Sequence, residues 1–287
     1  MPPAEVLIDD DLVRRLLRTQ HLDLASLPLA RFAEGWDNVT FRLGEAMLLR
    51  IPRRDIVGRQ IVLEHTWLPI LAPILPVAIP VPLRTGVPGE GYPWPWSVLP
   101  YLPGAPIDEA PLNAKGAADL GAFLRALHVA PPKDAPINPY RGGPLYELQE
   151  AFEARATRLE SQGQLPAHVR PVWRVACEAP IDAAPTWLHG DLHPLNALSE
   201  GGRLTAVIDW IDVCYGDPAT DLSCLWSLLD DEARRTAFHA YGGASTATVA
   251  RAKGWAAYFG AMLLEAGLAN APRHADIGTA ILEQLAP

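Results

Sequence analysis

Apolar positions along the chain change period several times, and each change marks an element. Leu12-Val13 and Leu16-Leu17 fall at helical spacing behind Asp9-Asp10-Asp11, which predicts an acid-capped amphipathic helix ending near His21. The stretches Leu29–Trp36, Val39–Leu43 and Met47–Ile51 alternate or are apolar throughout. With Gly35 and Gly44-Glu45 at the turns, they read as three successive strands. A helical pattern returns over Val57–Leu71, with Ile61, Leu68 and Leu71 on one face, and runs into several prolines. Pro82–Val87 and Trp96–Tyr101 then read as two further strands.

The second half is mostly helical. Ala114–His128 carries Ala118, Leu120, Phe123, Leu124 and Leu127 as a buried stripe. A Pro/Gly-rich loop over Pro131–Pro144 leads to helices at Pro144–Gln162 and Pro166–Glu178, and Thr186-Trp187-Leu188 is a short strand. Helices are predicted over Ala219–Leu229, Glu232–Tyr241, Val249–Ala269 and Asp276–Leu285. The expected class is therefore α+β, with strands concentrated near the N-terminus.

The 287 residues suffice for two lobes. No apolar run reaches membrane length, because Leu68–Val81 is interrupted by prolines 69, 73, 76 and 80. The acidic start MPPAEVLIDDD has no basic segment of a secretion signal. Cys177, Cys214 and Cys224 lack metal-binding spacing and read as buried free thiols of a reducing compartment, so the expected location is the cytoplasm. Residues 1–96 hold ten Lys/Arg against eleven Asp/Glu, whereas residues 97–287 hold fourteen against twenty-two. That acidic half argues against nucleic acid and suits a cationic ligand; ordinary solubility charge explains it equally well.

The densest chemistry lies in His189-Gly190-Asp191-Leu192-His193-Pro194-Leu195-Asn196, followed by Val207-Ile208-Asp209-Trp210. Ala197-Leu198, the turn Ser199-Glu200-Gly201-Gly202 and Leu204–Ile208 read as a hairpin, which brings Asn196 and Asp209 to one end, with Asp191 on the loop before it. Two carboxylates and an amide oxygen are the hard donors that suit Mg²⁺. A free carboxylate beside such a site is what phosphoryl transfer to a hydroxyl requires. His189 and His193 are four apart, but Pro194 breaks the helix a two-histidine zinc site would need, so His189 reads as a structural loop residue.

HGDLHPLN with VIDW resembles the catalytic core of the aminoglycoside phosphotransferase and choline kinase family, which shares the protein-kinase-like fold. Gly190 stands where protein kinases have Arg, and Trp210-Ile211 where they have Phe-Gly. The resemblance implies a small antiparallel N-terminal sheet with one helix over residues 1–97, a hinge at 98–104 and a larger, mainly helical lobe over 105–287. It implies ATP and Mg²⁺ as cofactors, Asp191 as the catalytic carboxylate, and Asn196 and Asp209 as metal ligands. Arg50 on the third strand takes the place of the usual phosphate-binding Lys, with Glu64 as its partner. Its alternative is a surface Arg like Arg53 and Arg54. Asn38 is the polar tip of a turn over the phosphates, although a turn there needs Gly and Asn whatever its function. Leu99 guards the adenine, Pro100 and Leu102 offer it backbone groups, and Leu198 and Ile208 lie beneath the ring. Asp221 bonds the catalytic-loop backbone, or is an ordinary first-turn Asp.

The implied activity is transfer of the γ-phosphate of ATP to a hydroxyl of a small acceptor. Aminoglycosides, macrolides, choline-like amines and sugars are all hosted by this fold, and an antibiotic-resistance role is among the expectations. A cationic acceptor would be met by Asp212 and Trp210 and, farther on, by Trp255, Tyr258 and Glu265 at helical spacing, although an aromatic stripe on a late helix is more often core. Two other readings stay open: a degenerate kinase fold that binds nucleotide without transfer, and a metal-dependent hydrolase built on the His/Asp cluster.

Overall fold

The computed structural model describes residues 4–286, so the first three residues of the stretch read as lacking a leader lie outside the described residues. The chain forms two compact units. One runs as far as Ile74 and includes Ala78–Leu102, and the other comprises Leu75–Val77 and the chain from Pro103 onward.

In the first unit, α1 (Asp10–Gln20) begins where the Asp9 side chain accepts the Leu12 N–H at 2.8 Å. Its apolar stripe, Leu12, Val13, Leu16 and Leu17, is buried in a core shared with Phe41, Leu43, Leu49, Ile51, Trp96 and Val98. Those residues lie on β2 (Asn38–Leu43), β3 (Met47–Pro52) and β5 (Trp96–Pro100), which with β1 (Leu29–Glu34) and β4 (Arg84–Gly86) make one antiparallel sheet of order β1-β2-β3-β5-β4. Between β3 and β4 lies α2 (Asp55–Leu71), which buries Val57, Ile61, Leu68 and Leu71 together with the acidic Glu64. The sequence pattern gave these elements with small shifts at their ends.

The second unit opens with β6 (Ala105–Pro106) and α3 (Ala114–Leu127), whose N-cap Asn113 accepts from the Lys115 and Gly116 amides. A 3₁₀ turn at Leu145–Leu148 precedes α4 (Gln149–Ser161), then α5 (Val169–Glu178) and β7 (Thr186–Leu188). The hairpin of β8 (Ala197–Glu200) and β9 (Arg203–Val207) turns at Gly201-Gly202 alone, both with positive φ (58° and 77°), so Ser199 and Glu200 belong to the strand. Then come β10 (Cys214–Gly216), α6 (Ala219–Leu222), α7 (Leu225–Leu228), α8 (Asp231–Tyr241), the buried α9 (Thr246–Asn270) and α10 (Pro272–Glu283).

Three features depart from the sequence expectation. β6 pairs with β8 and β10 pairs with β7, but two or three residues are too short to show a period. The helix expected over Ala219–Leu229 divides in two, because Cys224, Trp226 and Ser227 donate three residues back rather than four. Cys214 and Cys224 are buried as expected, but Cys177 is only partly so; all three are free thiols. Among the described residues no helix is long and apolar enough to cross a membrane.

Candidate active site

The strands β7 and β10 are antiparallel neighbours, with Leu188 opposite Cys214, and they fix the two ends of the site: residues 189–196 follow one strand and 208–213 precede the other. The loop is pinned by its backbone. The Asp221 carboxylate accepts the N–H of His189 at 2.7 Å and of Gly190 at 2.9 Å, and it lies 3.4 Å from His128 Nε2. Asp221 is 1% exposed, so these bonds face little competition from water. Gly190 has φ 86°, and a Cβ there would stand 2.8 Å from the Asp212 carbonyl, so no other residue fits without a shift. The His189 ring contacts the Ile208 carbonyl through Nε2 at 3.0 Å and accepts the Asp191 N–H at Nδ1 at 3.2 Å. Both nitrogens are thereby engaged in the loop rather than available to a metal.

The open end of the hairpin carries the expected metal donors. The Ile208 N–H donates to the Asn196 carbonyl at 2.9 Å, continuing the ladder past the Ala197–Val207 pair and setting Asn196 beside the chain that leads to Asp209. The Asn196 Nδ2 donates to the Asp191 carbonyl at 2.9 Å, which identifies the other end of the amide as the oxygen. Asp209 has φ 61°, a left-handed conformation uncommon for a residue with a side chain and frequent at functional turns. A neutral amide oxygen and one carboxylate fit Mg²⁺, which is usually held by one or two carboxylates with substrate phosphates completing its shell.

Asp191 has neighbours that the motif did not announce. Its Oδ2 is 3.6 Å from His193 Nε2 and its Oδ1 is 3.7 Å from Arg141 Nη2. Burial alone would raise its pKa. The hydrogen bond and charge of His193 and the charge of Arg141 outweigh that effect and hold the carboxyl below the usual range. Arg141 Nη2 also lies 3.6 Å from Asp212 Oδ2, and Asn138 Nδ2 donates to Asp212 Oδ1 at 2.7 Å. For Asp212 burial wins and its pKa is raised, with Arg141 opposing and the Asp191 charge adding to the rise. Arg141 and Asn138 come from the Pro/Gly-rich loop, where neither spacing nor motif marks them. His193, read as a loop residue, is part of the Asp191 surroundings.

In the first unit, Arg50 is buried on β3 and forms an ion pair with the fully buried Glu64 of α2. His65, next in the helix, contacts Ser97 Oγ through Nε2 at 2.7 Å, and burial with the Arg50 charge lowers its pKa to about 4. Leu99 is buried on β5 opposite Leu48, Pro100 ends that strand opposite Met47, and Leu102 is the last residue of the unit. In the second unit Leu198 is buried on β8 opposite Ala206.

Several sequence expectations are corrected. Asn38 is not the tip of its turn: it begins β2, and its side-chain oxygen is buried. Arg53, read as a surface residue, is 6% exposed; it donates to the Gly35 carbonyl at 2.9 Å and pairs with Glu34. Trp210 is fully buried, with its Nε1 donating to the Val207 carbonyl and its ring edge-on to Phe123 and His189, so it supports the loop instead of meeting an acceptor. Trp255 is core, stacked with Phe259, and Tyr258 is nearly buried beside Trp173. The Glu265 carboxylate is already held by Arg155 at 3.0 Å and Arg158 at 2.5 Å. Helical spacing located these residues on a common helix, but it cannot distinguish a core face from a ligand face.

Comparison with known proteins bears on the fold and the family. No curated protein matches the chain. Solved structures with a similar fold include the GDP and kanamycin complex of APH(2")-IIia (TM-score 0.69, 19% identity, covering 95% of this chain and 97% of that one). Macrolide 2'-phosphotransferase MphH from Brachybacterium faecium aligns with TM-score 0.62 and 23% identity over 95% of this chain and 98% of that one. A macrolide 2'-phosphotransferase type I aligns with TM-score 0.65 and 18% identity over 100% and 99%. The family model described as "Phosphotransferase enzyme family" (APH) matches residues 28–256, most of the chain and all of the loop and hairpin described above, and the chain belongs to that family.

Proposed function

We propose that the protein is a small-molecule kinase that transfers the γ-phosphoryl group of ATP, with Mg²⁺, to a hydroxyl of a small acceptor. The observation that carries this reading is the placing of Asp191. Its side chain keeps 23% exposure while the backbone on either side is tied to Asp221, His189 and Asn196. A carboxylate held in that way can orient an acceptor hydroxyl and take its proton as transfer completes. Asn196 and Asp209 would hold the metal, which supplies charge neutralisation to the phosphates when bound. Arg50, kept in place by Glu64, would bind phosphate oxygens; Leu99, Pro100, Leu102, Leu198 and Ile208 would meet the base. Most of the rate enhancement would come from positioning and fixed charge, since the protein has little covalent chemistry to perform.

The acceptor in this reading is a hydroxylated molecule that carries an amine. The acidic balance of residues 97–287 supports it, and proteins of similar fold have been solved in complex with kanamycin, gentamicin and streptomycin. A macrolide or another amine-bearing metabolite satisfies the same description. The test is a panel of hydroxylated antibiotics and metabolites with γ-labelled ATP and Mg²⁺. Transfer of label to at least one amine-bearing alcohol is expected. Mg²⁺-dependent nucleotide binding with no transfer to any acceptor would favour a nucleotide-binding protein without kinase activity.

A further inference from the structure

We infer that Arg141 sets how much positive charge an acceptor can bring to Asp191, restricting acceptors to molecules with no more than one ammonium group beside the reacting hydroxyl. This deepens the kinase reading and rests on it.

The sequence offers three features to a polycation: Asp212, the aromatic rings of α9, and Glu265. In the structure the chain's own arginines already occupy all three. Arg141 Nη2 lies 3.6 Å from Asp212 Oδ2 and 3.7 Å from Asp191 Oδ1, and its guanidinium is 5.2 Å from the Phe259 ring centre. Arg155 bonds Glu265 at 3.0 Å and sits 5.4 Å from the Tyr258 ring centre. Arg158 bonds the other Glu265 oxygen at 2.5 Å.

Arg141 is built into its place. Its side chain is 13% exposed, its carbonyl accepts from Thr220 Oγ1 at 2.9 Å, and its N–H donates to the Asn138 carbonyl at 3.2 Å. Asn138 in turn fixes the second oxygen of Asp212 at 2.7 Å. Gly190 gives the loop room for this arrangement, since a Cβ there would meet both Asp212 and the Arg141 Cβ. At 3.6 and 3.7 Å the guanidinium is a charge shared between two carboxylates and not a forked hydrogen bond to either.

Charge counting then limits the ligand. Asp191, Asp212 and Arg141 together leave one negative charge; Asp209 is committed to the metal in this reading, and any charge on the His193 imidazole, 3.6 Å from Asp191 Oδ2, only lowers what is left for a ligand. A single ammonium satisfies that one charge. A second would have to approach the partly buried guanidinium, where repulsion is weakly screened. Asp212 therefore contacts an acceptor as part of a pair with Arg141, not as an open anionic site.

The test compares kanamycin, as a polyamine probe, with erythromycin, which carries one tertiary amine, by calorimetric titration into the full-length protein without nucleotide. Arg141→Met is expected to raise kanamycin affinity tenfold or more, including from undetectable to measurable, with little gain for erythromycin. Arg141→Lys, which keeps the charge, is expected to match the unaltered protein. Arg141→Gln repeats the charge removal with a polar side chain, should the Met variant fold poorly. Unchanged or weaker kanamycin binding in the neutral variants would overturn the inference, as would a gain in Arg141→Lys equal to theirs. Labelled-ATP turnover is measured separately. Its absence with every acceptor would sink the kinase reading while the charge dependence at Arg141 still stood.

Discussion

Asp221 accepts two consecutive backbone N–H groups, those of His189 at 2.7 Å and Gly190 at 2.9 Å, and so a residue distant in sequence holds the main chain from which Asp191 projects. Both donors are buried. Each is satisfied by a charged acceptor, worth about 1.5–3 kcal/mol per bond.

Asp221→Ala is expected to destabilise the protein by about 3 kcal/mol or more, because two buried N–H groups lose their acceptor. Asp221→Asn should fall between the two, since one amide oxygen replaces two carboxylate oxygens. Denaturant melts and kcat check this. A melt unchanged in Asp221→Ala would mean that the loop is held by other contacts.

Arg50 and Glu64 form an ion pair with Glu64 fully buried, so removing one partner leaves a buried charge. Arg50→Ala is expected to cost about 3–5 kcal/mol and to weaken Mg²⁺-ATP far more than adenosine. Arg50→Lys should keep part of both, as a point charge replaces a planar fork. The double change Arg50→Met with Glu64→Leu separates the roles: stability should return while ATP affinity does not. Recovery of ATP affinity in the double variant would remove Arg50 from the phosphate site.

The elements of the first unit were legible because α1 and the β strands carry unmixed periods and Gly-marked turns. The loop motif was legible because HGDLHPLN and VIDW bring their chemistry in fixed order. Arg141 was not, since it lies in an irregular Pro/Gly-rich loop and reaches Asp191 through the tertiary fold alone. Trp210 was misplaced because the motif puts it directly after Asp209, while the side chain turns into the core. For Trp255 the core alternative weighed from the sequence is the outcome, since periodicity reports which residues share a face and not what covers it.

His65 gives a pH dependence of stability. Its folded-state pKa of about 4 lies below the ordinary 6.5, through burial and then the charge of Arg50. The unfolded chain therefore takes up this proton first as pH falls. The contribution is fully present above about 6.5 and lost progressively toward 4; the full shift would correspond to about 3 kcal/mol at about 1.4 kcal/mol per unit, and solvent screening of this partly exposed ring makes the loss smaller. Urea melts across that range, compared with His65→Gln, measure it. An acid limb equally steep in the variant would assign the loss to other groups.

For the metal, Asp209→Ala should reduce Mg²⁺-dependent nucleotide binding more than Asn196→Ala, because it removes a charged ligand and not a neutral one. Titration of nucleotide with and without Mg²⁺ distinguishes them. Small and equal effects would mean that the end of the hairpin does not hold the metal.

The account rests most directly on Asp191 as the group that receives the acceptor proton. The decisive measurement is turnover of γ-labelled ATP by Asp191→Asn, with nucleotide affinity measured on the same preparation. The amide keeps the size and the loop contacts but cannot take a proton or supply negative charge. Transfer should fall about a thousandfold, within the ~10²–10⁴ range of general-base catalysis, while Mg²⁺-ATP binds as before. Turnover near that of the unaltered protein would contradict the assignment.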